Sequence, residues 1–165
     1  MQCTLRNKSE YFSNLNISSY LNGITLFKIK IMCLISNFDH PSVADRDLTC
    51  YKVYILINNR YKSPYQKADM PKIGELATTS LQESGTYLVK KGFHSFVSLL
   101  SAINEAYLFT TIHNYETYVF KCTIPKGTKY YEGRFHCTPS YCSESIIIEE
   151  PVNNFNYYKR NILNN

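Results

Sequence analysis

The sequence predicts an α+β fold: a single domain with a mostly antiparallel twisted sheet and one main helix. Two observations lead to it. Short segments rich in β-branched and aromatic residues, bounded by Pro, Gly or Asn, recur along the chain. By contrast, one main segment, residues 95–107, repeats its apolar residues at helical spacing. Several strands grouped around one helix are typical of α+β domains.

The predicted domain spans residues 32–150. Residues 1–31 are rich in Asn, Ser and Ile and show no sustained period of two or 3.6, whereas Met32 opens a segment that reads like a natural protein start. We therefore expect residues 1–31 to be an extension outside the domain. The polar, Asn-rich residues 151–165 predict a disordered tail.

The first half of the predicted domain contains two strands and a long connection. Residues 48–57 are rich in β-branched and aromatic residues and predict a central strand. Residues 60–85 are polar and contain two prolines, so they predict a long connection with a short strand near Ile73. Residues 86–90 predict a second, short strand.

The predicted helix covers residues 95–107, with Ser95 as its N-cap. Its apolar face is formed by residues that recur at helical spacing: Phe96, Leu99, Leu100, Ile103 and Tyr107. Asn104 and Glu105 lie outside this face, so we expect them to point to solvent.

Three further strands are predicted after the helix, over residues 116–124, 128–135 and 144–149. Gly133 is expected to break the middle one, and Pro151 to stop the last one.

Composition excludes several classes of function. The net charge is +5, of which residues 1–31 carry +3, and the body shows no clustered basic stripe of the kind that binds nucleic acid. No stretch approaches the 18 apolar residues of a membrane span. The chain start has no pattern typical of a secretory signal, so we expect a cytoplasmic protein whose six cysteines are free thiols.

The segment Gly92-Phe93-His94-Ser95 is the first candidate site. Gly92 can adopt a positive φ or allow a close backbone approach. Ser95 and the free N–H groups of the helix start would form an anion site, with His94 donating to a phosphate or sugar. The alternative is a capped helix whose histidine bonds only the backbone.

Other polar residues offer weaker candidates. The spacing of Cys122, His136, Cys137 and Cys142 fits zinc poorly, so no metal site is predicted. A catalytic Cys–His pair stays open, because such pairs meet in space rather than in sequence. Glu144 opens the last strand and would act as a base or hold a sugar hydroxyl, unless it is a solvated strand end.

Tyrosines form a further set of candidates, because their rings can stack on a base or a nicotinamide, although such rings more often pack on a sheet. The set consists of Tyr51, Tyr54, Tyr61, Tyr65, Tyr130 and Tyr131.

The chain resembles a family of small, uncharacterised proteins of gut bacteria and their phages in its segments MCLISNF, TCYKV, SPYQ, GFHSF, KCTIPKGTKYYEG and YCSESIII. The resemblance covers about residues 32–150 and implies no activity. The order of elements is also remotely similar to that of ADP-ribosyltransferase-like folds. That likeness implies an NAD contact at Tyr51 or Lys52, and a nucleotide-binding segment at Gly92, Phe93, His94 and Ser95. It also implies a catalytic glutamate at Glu144.

Two positions depart from the ADP-ribosyltransferase pattern. The early strand, TCYKV, lacks the Arg or His of that fold, and Cys142 stands where many members have Gln or Glu. The resemblance therefore favours a phage- or bacteria-associated, nucleotide-binding module that is non-catalytic or degenerate, and that sequesters a nucleotide or inhibits a host protein. The alternatives are an active NAD-dependent ADP-ribosyltransferase and an accessory domain without a small-molecule site, so enzymatic activity stays an open question.

Overall fold

The computed structural model describes residues 34–85, 87–135 and 138–152, which form twelve strands and one helix, α1 (Leu99–His113). The strands are β1 (Leu34–Ser36), β2 (Ser42–Val43), β3 (Leu48–Ile57), β4 (Arg60–Lys62), β5 (Leu76–Thr78), β6 (Gln82–Glu83), β7 (Leu88–Lys91), β8 (Phe93–Phe96), β9 (Thr117–Ile124), β10 (Lys129–Phe135), β11 (Thr138–Ser143) and β12 (Ser145–Pro151).

The strands join in one curled sheet, in the order β5-β12-β9-β3-β8-β11-β10-β1-β7-β6, with β2 paired to β10 and β4 to β3. The ladders between these strands are antiparallel. This architecture confirms the predicted α+β class, with a mostly antiparallel sheet and one main helix.

Strand β3 is central, as predicted, and its bounds match the predicted ones. It pairs with β9 over eight residues, from Leu48 opposite Ile124 to Ile55 opposite Thr117. Its side chains alternate between the two faces of the sheet, so Cys50 and Tyr54 enter one core cluster and Val53 the other.

The two clusters lie on opposite faces of β3. The first contains the buried face of α1 and consists of Leu34, Val53, Val89, Phe96, Ala102, Ile103, Ala106, Val119, Tyr131, Phe135 and Cys142. The second consists of Cys50, Tyr54, Phe120, Cys122, Ile124, Ile146 and Ile148.

The predicted helix start was wrong. Ser95 lies in β8, and the N-cap is Ser98, whose Oγ accepts from the N–H of Ser101 at 3.2 Å. The segment FHSF forms a strand because it pairs with β11, from Phe93 opposite Ser143 to Phe96 opposite Ser140. Pairing to a neighbouring strand therefore overrides the local helical spacing.

The predicted helix face was only partly right: Ile103 is buried and Asn104 is exposed, as expected, but Leu100 and Glu105 depart from it. Leu100 is 63 % exposed, whereas Glu105, expected in solvent, is only 5 % exposed. The buried residues of α1 are Ala102, Ile103, Glu105, Ala106 and Phe109. This face carries two alanines, Ala102 and Ala106, and packs on β3 and β9.

The connection between residues 60 and 85 is more structured than predicted, since it contains β4, β5 and β6. Near the expected short strand, Ile73 forms an isolated parallel bridge with Ile148. The segment predicted at residues 86–90 appears as β7.

Strands β9, β10 and β12 correspond to the three predicted after the helix, but Gly133 does not break β10. A Cβ at this position would lie 2.0 Å from the carbonyl oxygen of Ile35, so the missing side chain is what lets β1 pair here. The last strand includes Pro151, and the N–H of Val152 donates to Val119 O, so the first two residues of the predicted tail extend the sheet. The predicted extension, residues 1–31, and residues 153–165 of the tail lie outside the described residues.

Candidate functional site

The sheet opens along one edge of β3. On this edge β3 pairs with β8 through a single residue pair, Tyr51 and Phe96, and pairs with β4 only from Ile55 onward. Residues 52–54 therefore lie between two partner strands. A cleft forms at this gap, beside the first core cluster.

The cleft has an enclosed volume of about 70 Å³, and its empty space reaches about 610 Å³ when the open mouth is included. A volume of this size holds roughly two waters, at about 30 Å³ each. The lining comes from β3, β8, α1, β10, β11 and the segment after β4: Lys52, Val53, Ser63, Pro64, Tyr65, Gln66, Gly92, His94, Ser95, Phe96, Glu105, Phe135 and Ser140.

Lys52 spans the gap between the strands. Its Nζ donates to the carbonyl oxygen of His94 at 2.6 Å and lies 5.7 Å from the ring centroid of Tyr54. None of the carboxylates in the described part of the chain forms an ion pair with it. Burial lowers the pKa of Lys52, because the charged amine has left water without gaining a counter-charge. An ammonium has three donors, and the bond to His94 uses one of them.

His94 is the neutral partner of this lysine. Burial, together with the charge of Lys52, lowers the pKa of His94 to about 4, so its imidazole is uncharged at neutral pH. The ring packs edge-on against Phe135, with 5.9 Å between the centroids. Its Nε2 is buried and has no hydrogen-bond partner.

Two serine hydroxyls share this property. The Oγ atoms of Ser63 and Ser95 are buried without a partner, and both residues line the cleft. Across the described part of the chain, the only other such side-chain atom is the hydroxyl of Tyr54, whose ring lies near the Lys52 amine. Buried polar atoms are nearly always satisfied in folded proteins, so their concentration in one cleft indicates a place for a polar ligand or water.

Glu105 contributes a carboxylate from the helix. Its Oε1 accepts a hydrogen bond from the hydroxyl of Tyr65. Burial and this bond raise the pKa of Tyr65, which therefore keeps its proton and acts as the donor. The sequence predicted Glu105 outside the buried face because the predicted face was defined by the large apolar residues of the helix. The spacing of Ala102, Ala106 and Phe109 was the available signal for the buried face.

Aromatic rings form one wall of the cleft around Phe135. Tyr65 lies 5.1 Å from it and Phe96 6.3 Å, both edge-to-face, and Tyr65 also packs 5.0 Å from Phe109. Tyr65 belongs to the predicted tyrosine set. Phe135 and Ser63 were not predicted, since only the fold brings β10 and the segment after β4 to this point.

The structure brings together four of the predicted binding residues: Lys52, Gly92, His94 and Ser95 all line the cleft. Gly92 has a φ of +148°, and a Cβ there would lie 2.4 Å from the Sγ of Cys142. Both expected reasons for a glycine, a positive φ and a close approach, therefore hold at this position.

The other three predicted site residues are not among those that line the cleft. Tyr51 packs against the first core cluster and Phe93 against the second. Glu144 lies between β11 and β12, where its Oε1 accepts from the backbone N–H of Lys129 at 3.1 Å. Its catalytic role stays a prediction, and the structure does not place it beside His94 in this cleft.

None of the described cysteines lines the cleft. Cys50, Cys122 and Cys142 are buried thiols outside any disulfide, and Cys50 lies directly opposite Cys122 in the β3–β9 ladder. The hydrogen bond to Cys50 and burial raise the pKa of the Cys122 thiol. His136 and Cys137, the other members of the predicted group, lie outside the described residues.

Within residues 34–85, 87–135 and 138–152, no group of three or more His, Cys, Asp or Glu side chains is arranged to hold a metal ion. The same part of the chain contains no helix that is both long and apolar enough to cross a membrane.

Comparison with known proteins yields no match: no protein-family model fits the sequence, and no curated protein or solved structure is significantly similar to the chain.

Proposed function

We propose that this chain is a non-catalytic binding module that captures a nucleotide in the cleft between β3 and β8. The observation that carries the proposal is the collection of unsatisfied polar groups at one point. Three buried atoms without a partner, on Ser63, His94 and Ser95, lie in the same cleft as Lys52, a partly buried cation that forms no ion pair with the described carboxylates. A ligand that supplies these bonds removes an energetic penalty already present in the protein.

The chemistry of the lining favours a nucleotide over an apolar ligand. Lys52 retains ammonium donors for a phosphate or another anion, and a bound anion would offset the desolvation that lowers its pKa. The neutral imidazole of His94 and the serine hydroxyls can each donate or accept, as base and sugar edges require. The rings of Phe135 and Tyr65 offer an apolar wall.

The size of the cleft limits how such a ligand would bind. The enclosed volume of about 70 Å³ takes one group, such as a phosphate, while the open mouth of the 610 Å³ space accommodates the rest. Clefts that enclose drug-sized ligands have volumes of about 300–1,000 Å³, so this cleft would hold one group of a nucleotide and leave the rest at its open mouth.

Of the residues that the remote likeness to ADP-ribosyltransferase-like folds implies, Lys52, Gly92, His94 and Ser95 line the cleft, whereas Tyr51, Phe93 and Glu144 do not. No observation favours turnover. Glu144 is engaged with the Lys129 backbone instead of lining the cleft. We therefore prefer sequestration of a nucleotide to an active NAD-dependent transferase.

Isothermal titration with AMP, ADP-ribose and NAD tests the proposal. We expect at least one of the three to bind, and Lys52→Met to weaken it roughly 10- to 100-fold, because a hydrogen bond to a charged group contributes about 1.5–3 kcal/mol. Lys90→Met is the matched control, since Lys90 is exposed on β7 and does not line the cleft. Absence of binding by all three ligands, or an equal loss in both variants, would refute the proposal.

Turnover is measured in the same samples. With NAD present, free nicotinamide is followed by chromatography over several hours, and we expect none above the rate without protein. Nicotinamide release that depends on Glu144, lost in Glu144→Gln, would replace sequestration with the enzymatic alternative.

A further inference from the structure

We infer that Cys50 and Cys122 form a redox site, a buried pair of thiols that a small hydroperoxide oxidises to a reversible cross-strand disulfide. This inference does not depend on the nucleotide binding proposed above. It assigns a modification to two residues that the cleft does not use.

The two cysteines face each other across the centre of the sheet. Cys50 of β3 lies directly opposite Cys122 of β9, and both side chains are fully buried in the second core cluster. Directly opposed residues of an antiparallel pair have their Cβ atoms about 4.5–5.5 Å apart. A disulfide requires Cβ atoms about 3.5–4.5 Å apart, so it can form here after a small approach of the two strands.

The type of pairing at this position predicts a strained disulfide. The N–H of Leu56 donates to the carbonyl oxygen of Glu116 at 2.9 Å, which makes these two opposed residues a hydrogen-bonded pair. Cys50 and Cys122 lie an even number of residues from them along the same ladder, so they are also a hydrogen-bonded pair. Side chains are farther apart in such pairs, so a disulfide there carries strain, and strained disulfides are the ones that other thiols reduce readily.

Cys50 is the more acidic member of the pair. The hydrogen bond with the Cys122 thiol lowers the pKa of Cys50, and the charge of Lys52 acts in the same direction. The same hydrogen bond, together with burial, raises the pKa of Cys122. Cys50 therefore loses its proton first, and the thiolate is the reactive form of a cysteine. Lys52 shares a face of β3 with Cys50 and lines the cleft, so the cleft gives a water-sized oxidant an approach to the pair.

The reaction is a two-electron oxidation. The Cys50 thiolate attacks one oxygen of the hydroperoxide, the O–O bond breaks, and the leaving oxygen takes up the proton that the thiol had lost, which leaves a sulfenic acid on Cys50. The Cys122 sulfur then attacks the sulfur of this sulfenic acid. The S–S bond forms, and the departing hydroxide leaves as water with the thiol proton of Cys122. The two sulfurs are oxidised, and the two oxygens of the peroxide are reduced.

The alternative is that both cysteines only fill the core as small apolar side chains. Cys142 provides the comparison within the same chain, because it is equally buried but lies opposite Tyr131 and His94 in the two ladders of β11. A purely structural role predicts that all three thiols resist oxidation while the chain stays folded. A redox site predicts that only Cys50 and Cys122 react.

The test treats the folded chain with hydrogen peroxide, blocks the remaining thiols with N-ethylmaleimide in denaturant, and maps the digested peptides by mass spectrometry. We expect Cys50 and Cys122 in one linked peptide pair that dithiothreitol separates, and Cys142 as an alkylated thiol. The disulfide should form at least about ten-fold faster than N-ethylmaleimide alkylates Cys142 in the folded chain, because that alkylation requires the core to open.

Two variants separate the steps. In Cys122→Ser, no thiol faces the sulfenic acid of Cys50, so dimedone added with the denaturant should trap it. In the matched control, Cys142→Ser, the disulfide should form as in the natural chain. If Cys122→Ser does not fold, Cys122→Ala must give the same dimedone adduct.

Three results with the natural chain would overturn the inference. They are no disulfide while the chain stays folded, a disulfide that forms no faster than Cys142 is alkylated, and a disulfide that joins Cys50 to a different cysteine. Absence of the dimedone adduct from a folded Cys122 variant would overturn it as well.

Discussion

Gly92 is the position where the packing of the cleft makes the sharpest prediction, because any side chain there meets two separate obstacles. Its φ of +148° lies in a region that L-residues rarely adopt. A Cβ built on it would lie 2.4 Å from the Sγ of Cys142, 2.8 Å from the Cδ2 of Leu81 and 3.2 Å from the carbonyl oxygen of Ser143. Replacement by alanine must therefore distort the backbone, displace the neighbours, or both.

The loss of stability in Gly92→Ala is the sum of two costs, backbone strain and steric overlap. Holding a non-glycine residue in a sparsely populated region costs about 1–3 kcal/mol. Forcing one extra methyl group into packed surroundings costs about 1–3 kcal/mol more. Gly92→Ala should therefore lower the free energy of unfolding by about 2–6 kcal/mol, a large share of the 5–15 kcal/mol that is typical of a natural domain.

Urea unfolding followed by circular dichroism measures this loss, with Gly127→Ala as the control. Gly127 also has a positive φ, of +84°, but its added Cβ would meet nothing within 4 Å, so only backbone strain of about 1–2 kcal/mol is expected. The clash is isolated by repeating Gly92→Ala in a Cys142→Ala background, where removal of the Sγ should make the glycine substitution less costly by about 0.5–3 kcal/mol. If Gly92→Ala is no more destabilising than Gly127→Ala, the close approach of Gly92 to the Cys142 Sγ is wrong.

Three further predictions concern the helix cap, the sheet and the buried histidine. Ser98→Ala should lower the unfolding free energy by about 1 kcal/mol through loss of the cap, and an unchanged urea midpoint would argue against this helix start. Gly133→Ala should lower the unfolding free energy by about 3 kcal/mol, because its Cβ would lie 2.0 Å from the backbone oxygen of Ile35. A thermal unfolding midpoint equal to that of the natural chain would contradict the β1–β10 pairing. Because the pKa of His94 is lowered to about 4 from its ordinary 6.5, the unfolded chain binds more protons between these pH values. The neutral His94 therefore contributes about 3 kcal/mol to the free energy of unfolding above pH 6.5, and this contribution is lost as the pH falls to 4. His94→Gln should lose this part of the pH dependence in urea unfolding at pH 4 and 7, and an identical pH dependence in both proteins would refute the burial of the imidazole.

Part of the site could be predicted from local sequence. Gly92 and His94 stand out in GFHSF, and the need for a glycine follows from local backbone geometry and close approach. Lys52 was predicted only through the remote likeness, as a cation in the central strand. What local sequence could not show is that Glu105, Ser63 and Phe135 reach the same cleft. They come from a helix, a connection and a distant strand, and only the curl of the sheet brings them together.

The sequence by itself determined the class of the fold and its centre. Segments of β-branched and aromatic residues located β3, β9, β10 and β12 to within one or two residues, because such side chains suit the pleated, half-buried surface of a sheet. Only the tertiary structure determined that Phe93–Phe96 form a strand and which face of α1 is buried. Residues Phe93–Phe96 form a strand because all four pair with β11, and α1 buries the face that carries Ala102, Glu105 and Ala106. That face gives the cleft its carboxylate.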